Sequence, residues 1–272
     1  MELTNYVPGS QLNLKDSMDK LSLFRKYEKA MQPASASCMD ERLLMARDGT
    51  LSVYYAPFDW VNQDARVTLV GITPGKTQAN NALAEARKAI GESAAPLEII
   101  VRAKRTAAFS GAMRGNLVAL LDRIGLHQPL GLSSCAALFG PASRLLQTTS
   151  VLPFPVFVDG ENYKGAPDPL RTKFLQRLTE QYFVPIMQAL PKSIFLPLGP
   201  VPAKVMLALA DAGVIDRNRI LDGIPHPSGP NGERISYFLG KKSRSLLSKK
   251  TDPDKLDAAL VRVRQRISVW KS

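Results

Sequence analysis

Residues 65–83 read ARVTLVGITPGKTQANNAL. Residues 66–70 form a short, β-branched apolar run of the kind that fills a strand covered on both faces, and the run stops at Gly71. Thr73-Pro74-Gly75 then turns the chain, and Ala79, Leu83, Ala86 and Ile90 recur at helical spacing. The pattern predicts a strand, a tight loop and a helix N-terminus, the place where open α/β sheets bind ligands. The same loop ends in Gly-Lys-Thr, as a phosphate-binding loop does. That motif requires four residues between its glycines, whereas Gly71 and Gly75 enclose only Ile72, Thr73 and Pro74. Nucleoside triphosphate binding is therefore the weakest of the readings kept here.

A second stretch, GIPHPSGPNGER at residues 223–234, follows the short apolar run Ile220-Leu221 and carries His226, one of two histidines in the chain. G-x-x-P-G after an early strand, paired with a late H-P-S-G-x-N, resembles the first and last active-site motifs of the uracil-DNA glycosylase superfamily. Between them, FSGAMRGNL at residues 109–117 is similar to that superfamily's F-x-G-x-x-G-x-L segment. FLPLG at 195–199 is similar to its third core strand, which ends in Leu-Gly. The resemblance spans about residues 51–239.

The resemblance implies a three-layer α/β/α sandwich around a central four-stranded, mainly parallel sheet. It also implies a DNA N-glycosylase that works without a cofactor on a flipped-out uracil or modified pyrimidine. Carried over by motif, His226 donates to the carbonyl oxygen of the departing base. Gly71, Ile72, Pro74 and Gly75 line the base, with backbone N–H groups at the helix start directed to the ligand. Phe109 stacks on the base. Ser228, Gly229, Pro230 and Asn231 enter the minor groove, and Lys76, Arg234, Lys241, Lys242 and Arg244 meet phosphates.

The sequence departs from the superfamily at two places. Most relatives have Asn, Asp or Glu where Thr73 stands. A threonine hydroxyl can orient a water but is too weak a base to deprotonate it. Gln78, Asn80 and Asn81 are substitutes for that role. Many relatives read the pyrimidine with an asparagine where Thr148, Thr149 and Ser150 lie. A hydroxyl lacks the fixed donor–acceptor pair of an amide. Both departures widen the expected substrates to modified bases, including those of foreign DNA. A non-catalytic DNA-binding protein that keeps this fold is the alternative.

Composition sets the outer bounds. With 272 residues, 45% hydrophobic and 22% charged, the chain has globular proportions. Thirty-six Lys and Arg against 24 Asp and Glu give +12, which favours a polyanionic partner, and DNA is the one expected. No run reaches the ~18 apolar residues of a membrane span, and the N-terminus lacks a signal-peptide pattern. These readings predict a soluble, intracellular, cytoplasmic monomer. Cys38 and Cys135 are the only cysteines, which excludes a disulfide framework and a four-cysteine cluster, so no metal is expected.

The remainder reads as one domain over 1–272, with a helical N-terminal extension (about 1–50) and a basic helical C-terminal one (about 241–272). Met18, Leu21, Phe24, Tyr27 and Met31 share a helical face closed by Pro33. Strands are expected at 51–55 and 145–151, and Tyr54, Tyr55, Phe58 and Trp60 as core. The proline- and glycine-marked stretch 153–167 reads as a long loop, and Asp168-Pro169 as a helix start. Arg102, Lys104 and Arg105 form a basic stretch, and His127 is a surface or satisfied loop histidine with no carboxylate or second ligand nearby.

Overall fold

The computed structural model describes residues 21–107 and 112–270. Helix α1 (Ser22–Met31) buries Phe24, Tyr27 and Met31, one turn apart, and Tyr27 stacks on Tyr55 at 4.8 Å between ring centroids. Expected Met18 lies outside the described residues, but α1 is part of the core rather than an appendage. β1 (Leu44–Asp48) and β2 (Leu51–Tyr54) form an antiparallel pair turned at Gly49, whose φ of 56° suits a residue without Cβ. Next come β3 (Val67–Gly71) and α2 (Lys76–Gly91), within a residue or two of the expected strand and helix.

α3 (Pro96–Ala107) occupies the stretch read only as basic. Pro96 opens it, and Ile99, Ile100, Ala103 and Ala107 are buried at helical spacing. α4 (Ala112–Arg123) turns Leu117, Leu120 and Leu121 inward. β4 (Leu146–Ser150) is the second expected core strand. The stretch expected as a long loop instead forms β5 (Val156–Val158) and β6 (Glu161–Asn162). They are joined at Asp159-Gly160, with φ of 49° and 78°, the left-handed pair that a two-residue hairpin turn requires. β5 pairs with β2, giving a second, antiparallel sheet in the order β1-β2-β5-β6.

Asp168 does not start a helix; it closes a turn, accepting from Leu170 N–H at 2.9 Å, and α5 (Lys173–Leu178) begins four residues later than Pro169. A π-turn at Thr179–Phe183 then leads into α6 (Val184–Gln188), the local irregularity expected where Pro185 lacks an N–H. β7 (Ile194–Pro197) precedes α7 (Pro200–Asp211), α8 (Gly232–Phe238) and α9 (Pro253–Val269).

β4, β3 and β7 make a three-stranded parallel sheet in that order. Next to β7, Ile220 forms a single parallel bridge to Phe195, and Leu221 N–H donates to Phe195 O at 2.7 Å. The run stays this short because a 3₁₀ turn ends at Arg219 and Gly223 turns away with φ 95°. Alternation splits the sheet between two cores. Val67 and Leu69 face a cluster with α4, α8 and α9, and Val70 faces one with α1, α2, α3 and the antiparallel sheet. α9 buries Val263 and Ile267 in the first of these, so it too is integral to the core.

Candidate functional site

The first loop leaves the carboxyl end of β3 and is fastened from the side. Val151 N–H bonds Gly71 O and Leu152 N–H bonds Ile72 O, both at 3.0 Å, so the continuation of β4 zips along it. A Cβ at Gly71 would lie 3.3 Å from Ser150 Oγ, and Pro74 is buried. Thr73 Oγ1 donates to Phe154 O at 2.8 Å and accepts from Val156 N–H at 3.1 Å. Its only proton is thus committed to the segment leading into β5. The expected water-orienting hydroxyl is a structural tie, with one lone pair left over.

The start of α2 is similarly occupied. Gly75 N–H donates to Gln78 Oε1 at 3.2 Å, and Lys76 N–H donates to Asn162 Oδ1 at 2.8 Å. β6 therefore caps α2 from a distance of 86 residues in sequence. The expectation that these N–H groups face a ligand is corrected by that cap. Asn80 Oδ1 accepts from Cys38 N–H at 2.9 Å and Gln78 Nε2 approaches Ala107 O at 3.4 Å, so two of the three proposed substitutes for water positioning are engaged as well, and the third, Asn81, is exposed.

His226 lies beyond the end of the neighbouring strand. Gly199, at φ 98°, follows β7, and a Cβ there would stand 3.6 Å from His226 Cδ2. Val70 of β3 is in register with Pro197 of β7, so the Thr73 loop and the Gly199 turn beside His226 follow the carboxyl ends of adjacent parallel strands, while His226 itself follows the short Ile220-Leu221 run on the far side of β7. Asn116 of α4 donates to Pro227 O at 2.9 Å, joining α4 to the histidine loop. Phe109 lies outside the described residues.

Among the described residues, hydrogen bonds reach the imidazole only at Nδ1. Ser228 N–H points to His226 Nδ1 at 3.2 Å and Ser228 Oγ lies 2.9 Å from the same nitrogen. Asn231 Nδ2 donates to Ser228 Oγ at 3.1 Å, and Arg234 Nη1 donates to Asn231 Oδ1 at 2.9 Å. A backbone N–H can only donate, so Nδ1 accepts and the proton resides on Nε2. Burial holds the imidazole pKa below its ordinary value, which favours the neutral form. The result is a preorganised, uncharged Nε2–H donor.

Sequence reasoning missed what stands behind this loop. Asp222 pairs with Arg262 at 3.0 Å and with Arg266 at 2.9 Å, and Arg266 also donates to Ile220 O. A Cβ on Gly223 would come within 2.6 Å of Ala259 Cβ. α9 is thus clamped against the chain three residues before His226. Its arginines had no sequence signal to separate them from a solvated basic face.

Thr149 Oγ1 is buried without a hydrogen-bond partner among the described residues, at the strand end expected to read a base. Thr148, on the opposite face, lines a cavity of about 160 Å³ with Trp60, Lys104, Arg105, Arg114 and Phe139. Neither Thr73 nor His226 is among the described residues lining it. Lys104 is buried and donates to Phe58 O at 2.8 Å and Trp60 O at 2.5 Å. Burial brings its pKa down to about 7 against the pull of Asp59, and raises Asp59 to about 6. Arg102, in the same basic stretch, is tied to Glu85 and Glu92, so two of its three cations serve the fold.

The expected phosphate-binding residues divide likewise. Lys76 and Lys241 are exposed, as are Gly229 and Pro230 at the loop tip. Arg234 bonds Asn231 and Lys250 O, Lys242 pairs with Glu233 at 2.8 Å, and Arg244 pairs with Asp254 at 2.6 Å. Glu233 also accepts from Ser248 and Thr251, and these bonds hold its carboxyl well below the usual range. Lys242 thus ties its segment to α8 through Glu233, whereas the exposed Arg244 pairs with Asp254 in the first turn of α9. His127 is corrected too: its Nδ1 lies 3.5 Å from Asp122 Oδ1, beside Cys135.

Fold and site together define a mixed α/β protein that presents a neutral imidazole at the carboxyl edge of a small parallel sheet. Among the described residues, no helix is long and apolar enough to cross a membrane. The chain is similar to the uncharacterized protein YoxB of Bacillus subtilis (strain 168), 33% identical over 201 residues that cover 73% of this chain and 78% of that protein. It belongs to the same family as YoxB. No family model matches the chain, and no solved structure matches it.

Proposed function

We propose that the protein is a DNA glycosylase of the uracil-DNA glycosylase superfamily, an intracellular enzyme that removes uracil or a modified pyrimidine from DNA. The reading carries with it a four-stranded parallel sheet in which Ile220-Leu221 supplies the last strand. The observation that supports it best is the His226 arrangement: a neutral imidazole, its Nδ1 held by Ser228, leaving Nε2–H to donate. In the reaction the bond from the sugar C1′ to the base nitrogen breaks, the electron pair departs with the base, a water oxygen bonds C1′, and the proton that this water sheds ends on the released base. The negative charge reaches the base carbonyl oxygen, where a fixed N–H donor stabilises the transition state more than the ground state. With the Thr73 proton engaged by Phe154 O, leaving-group stabilisation bears most of the catalysis. Asn116, by holding Pro227 O, positions the imidazole without touching substrate.

The engaged Thr73 hydroxyl also supports a second reading, a DNA-binding protein of the same fold without hydrolytic activity. The occupied N–H groups of Gly75 and Lys76 speak against a phosphate-loop NTPase. One experiment separates these. The protein is incubated with oligonucleotides carrying uracil, hypoxanthine or modified cytosines, and abasic sites are cleaved with alkali. Scission lost in His226→Ala supports the glycosylase. Salt-sensitive DNA binding without scission on any substrate supports the binder, and nucleotide hydrolysis lost in Lys76→Ala supports the NTPase.

A further inference from the structure

Away from the imidazole loop, the last turn of α4 and the chain that follows it bring three different metal-ligating side chains together. Asp122 is on α4, His127 is in the loop after it, and Cys135 begins the 3₁₀ turn Cys135–Phe139. The ligating atoms of all three lie within 4.8 Å of one another. We propose that Asp122, His127 and Cys135 bind a divalent d-block cation, with Zn²⁺ the best match.

Three observations carry this. First, His127 Nδ1 is buried and has no hydrogen-bond partner among the described residues. Its 3.5 Å from Asp122 Oδ1 is long for a hydrogen bond. Two ligands bound at about 2.1 Å to a tetrahedral zinc stand about 3.4 Å apart, so an ion between them explains the spacing.

Second, the carboxylate is already oriented. Ser134 Oγ donates to Asp122 Oδ2 at 2.7 Å, and Cys135 N–H donates to Asp122 Oδ1 at 2.7 Å. Outer contacts of this kind aim a ligating carboxylate and still leave each oxygen a lone pair. Third, the donor set is one thiol, one imidazole and one carboxylate, which suits zinc and its neighbours and disfavours calcium or magnesium.

Cys135 is fully buried, whereas the His127 and Asp122 side chains retain 23% and 31% exposure, so the fourth position opens on the side away from the thiol and takes a water. Binding forms a sulfur–metal bond and releases the thiol proton to solvent. The ion would pin the loop over residues 125–134 onto α4, whose opposite end carries Asn116 and holds Pro227. It is a structural staple.

The test is Co²⁺ and Zn²⁺ titration of the full chain with any affinity tag removed. The expected result is saturable, stoichiometric binding with tetrahedral d–d bands and a thiolate-to-cobalt charge-transfer band that Cys135→Ser abolishes. Ser134→Ala, which removes an orienting contact, weakens affinity by about 10–100-fold while far-ultraviolet circular dichroism stays unchanged. No saturable binding, or a charge-transfer band that survives in Cys135→Ser, overturns the proposal. Should Cys135→Ser fail to fold, His127→Gln at its partly exposed position decides: unchanged Zn²⁺ affinity overturns the site and a weaker one supports it.

Discussion

Ser228 points its backbone N–H at His226 Nδ1, 3.2 Å away, and its hydroxyl stands 2.9 Å from the same atom. One residue thereby sets both the orientation and the tautomer of the imidazole. Because the N–H contact survives any substitution but proline, the two interactions can be separated.

Base release in the oligonucleotide assay is expected to fall by about 10²–10³-fold in His226→Ala, the usual cost of losing one preorganised donor. Ser228→Ala keeps the backbone contact and loses a hydrogen bond of about 1 kcal/mol, so a loss of roughly fivefold is expected. Equal losses in the two variants would show that the tautomer argument is wrong.

The burial of His226 has a stability signature. Its pKa is lowered in the folded protein, so as pH falls below about 6.5 the unfolded chain takes up the proton first. The stability is fully present above the unfolded value and is lost as pH falls through the folded one. Between about pH 7.5 and pH 5, Tm should therefore drop more for the wild type than for His226→Gln. Parallel curves would contradict the assignment.

Gly223 is required by both its backbone and its surroundings. At φ 95° and with Ala259 Cβ 2.6 Å from a would-be Cβ, Gly223→Ala should cost about 1–3 kcal/mol from the clash and a similar amount from backbone strain. Adding Ala259→Gly removes only the first. Chemical denaturation of the single and double variants measures the two parts, and no recovery in the double variant would argue against the packing.

Asp222→Ala removes the partner of Arg262 and Arg266, both of which reach it within 3.0 Å. Hydrogen bonds to charged groups are worth about 1.5–3 kcal/mol, and the partial exposure of this cluster puts the expectation at the lower end. Denaturant midpoints of Asp222→Ala and Arg266→Met test it. A variant as stable as the wild type would mean that α9 is held by its apolar face alone.

DNA binding, if the proposed function holds, should separate the basic residues. Lys76→Ala and Lys241→Ala alter exposed cations and should each lower the slope of log K against log salt by about 1. Lys242→Ala breaks the Glu233 pair and should lower Tm instead. An unchanged slope in both Lys76→Ala and Lys241→Ala would remove the phosphate-contact reading.

The strand, loop and helix over residues 66–90 were legible because each announces itself within a few residues: β-branched run, Thr-Pro-Gly turn, then apolar positions at helical spacing. The same holds for β4, β7 and the faces of α1, α4 and α9. The hairpin over 156–162 had an equally local signal in Asp159-Gly160, obscured by the prolines around it. α3 was obscured by its cations, because Lys104 is buried on an otherwise apolar face.

Chain composition and local pattern by themselves determined a basic α/β protein with a loop at the end of its first parallel strand and a stiff, proline-flanked histidine near its last. Tertiary structure alone decided what those groups have left to offer. It gave the Thr73 proton to Phe154 O, filled the start of α2 with Asn162, clamped Asp222 to α9 and gathered Asp122, His127 and Cys135. The physical reason is that a hydrogen-bonding group has a small, fixed capacity. Which partner uses it depends on contacts such as the 86-residue separation between Lys76 and Asn162, which leave no trace in local periodicity.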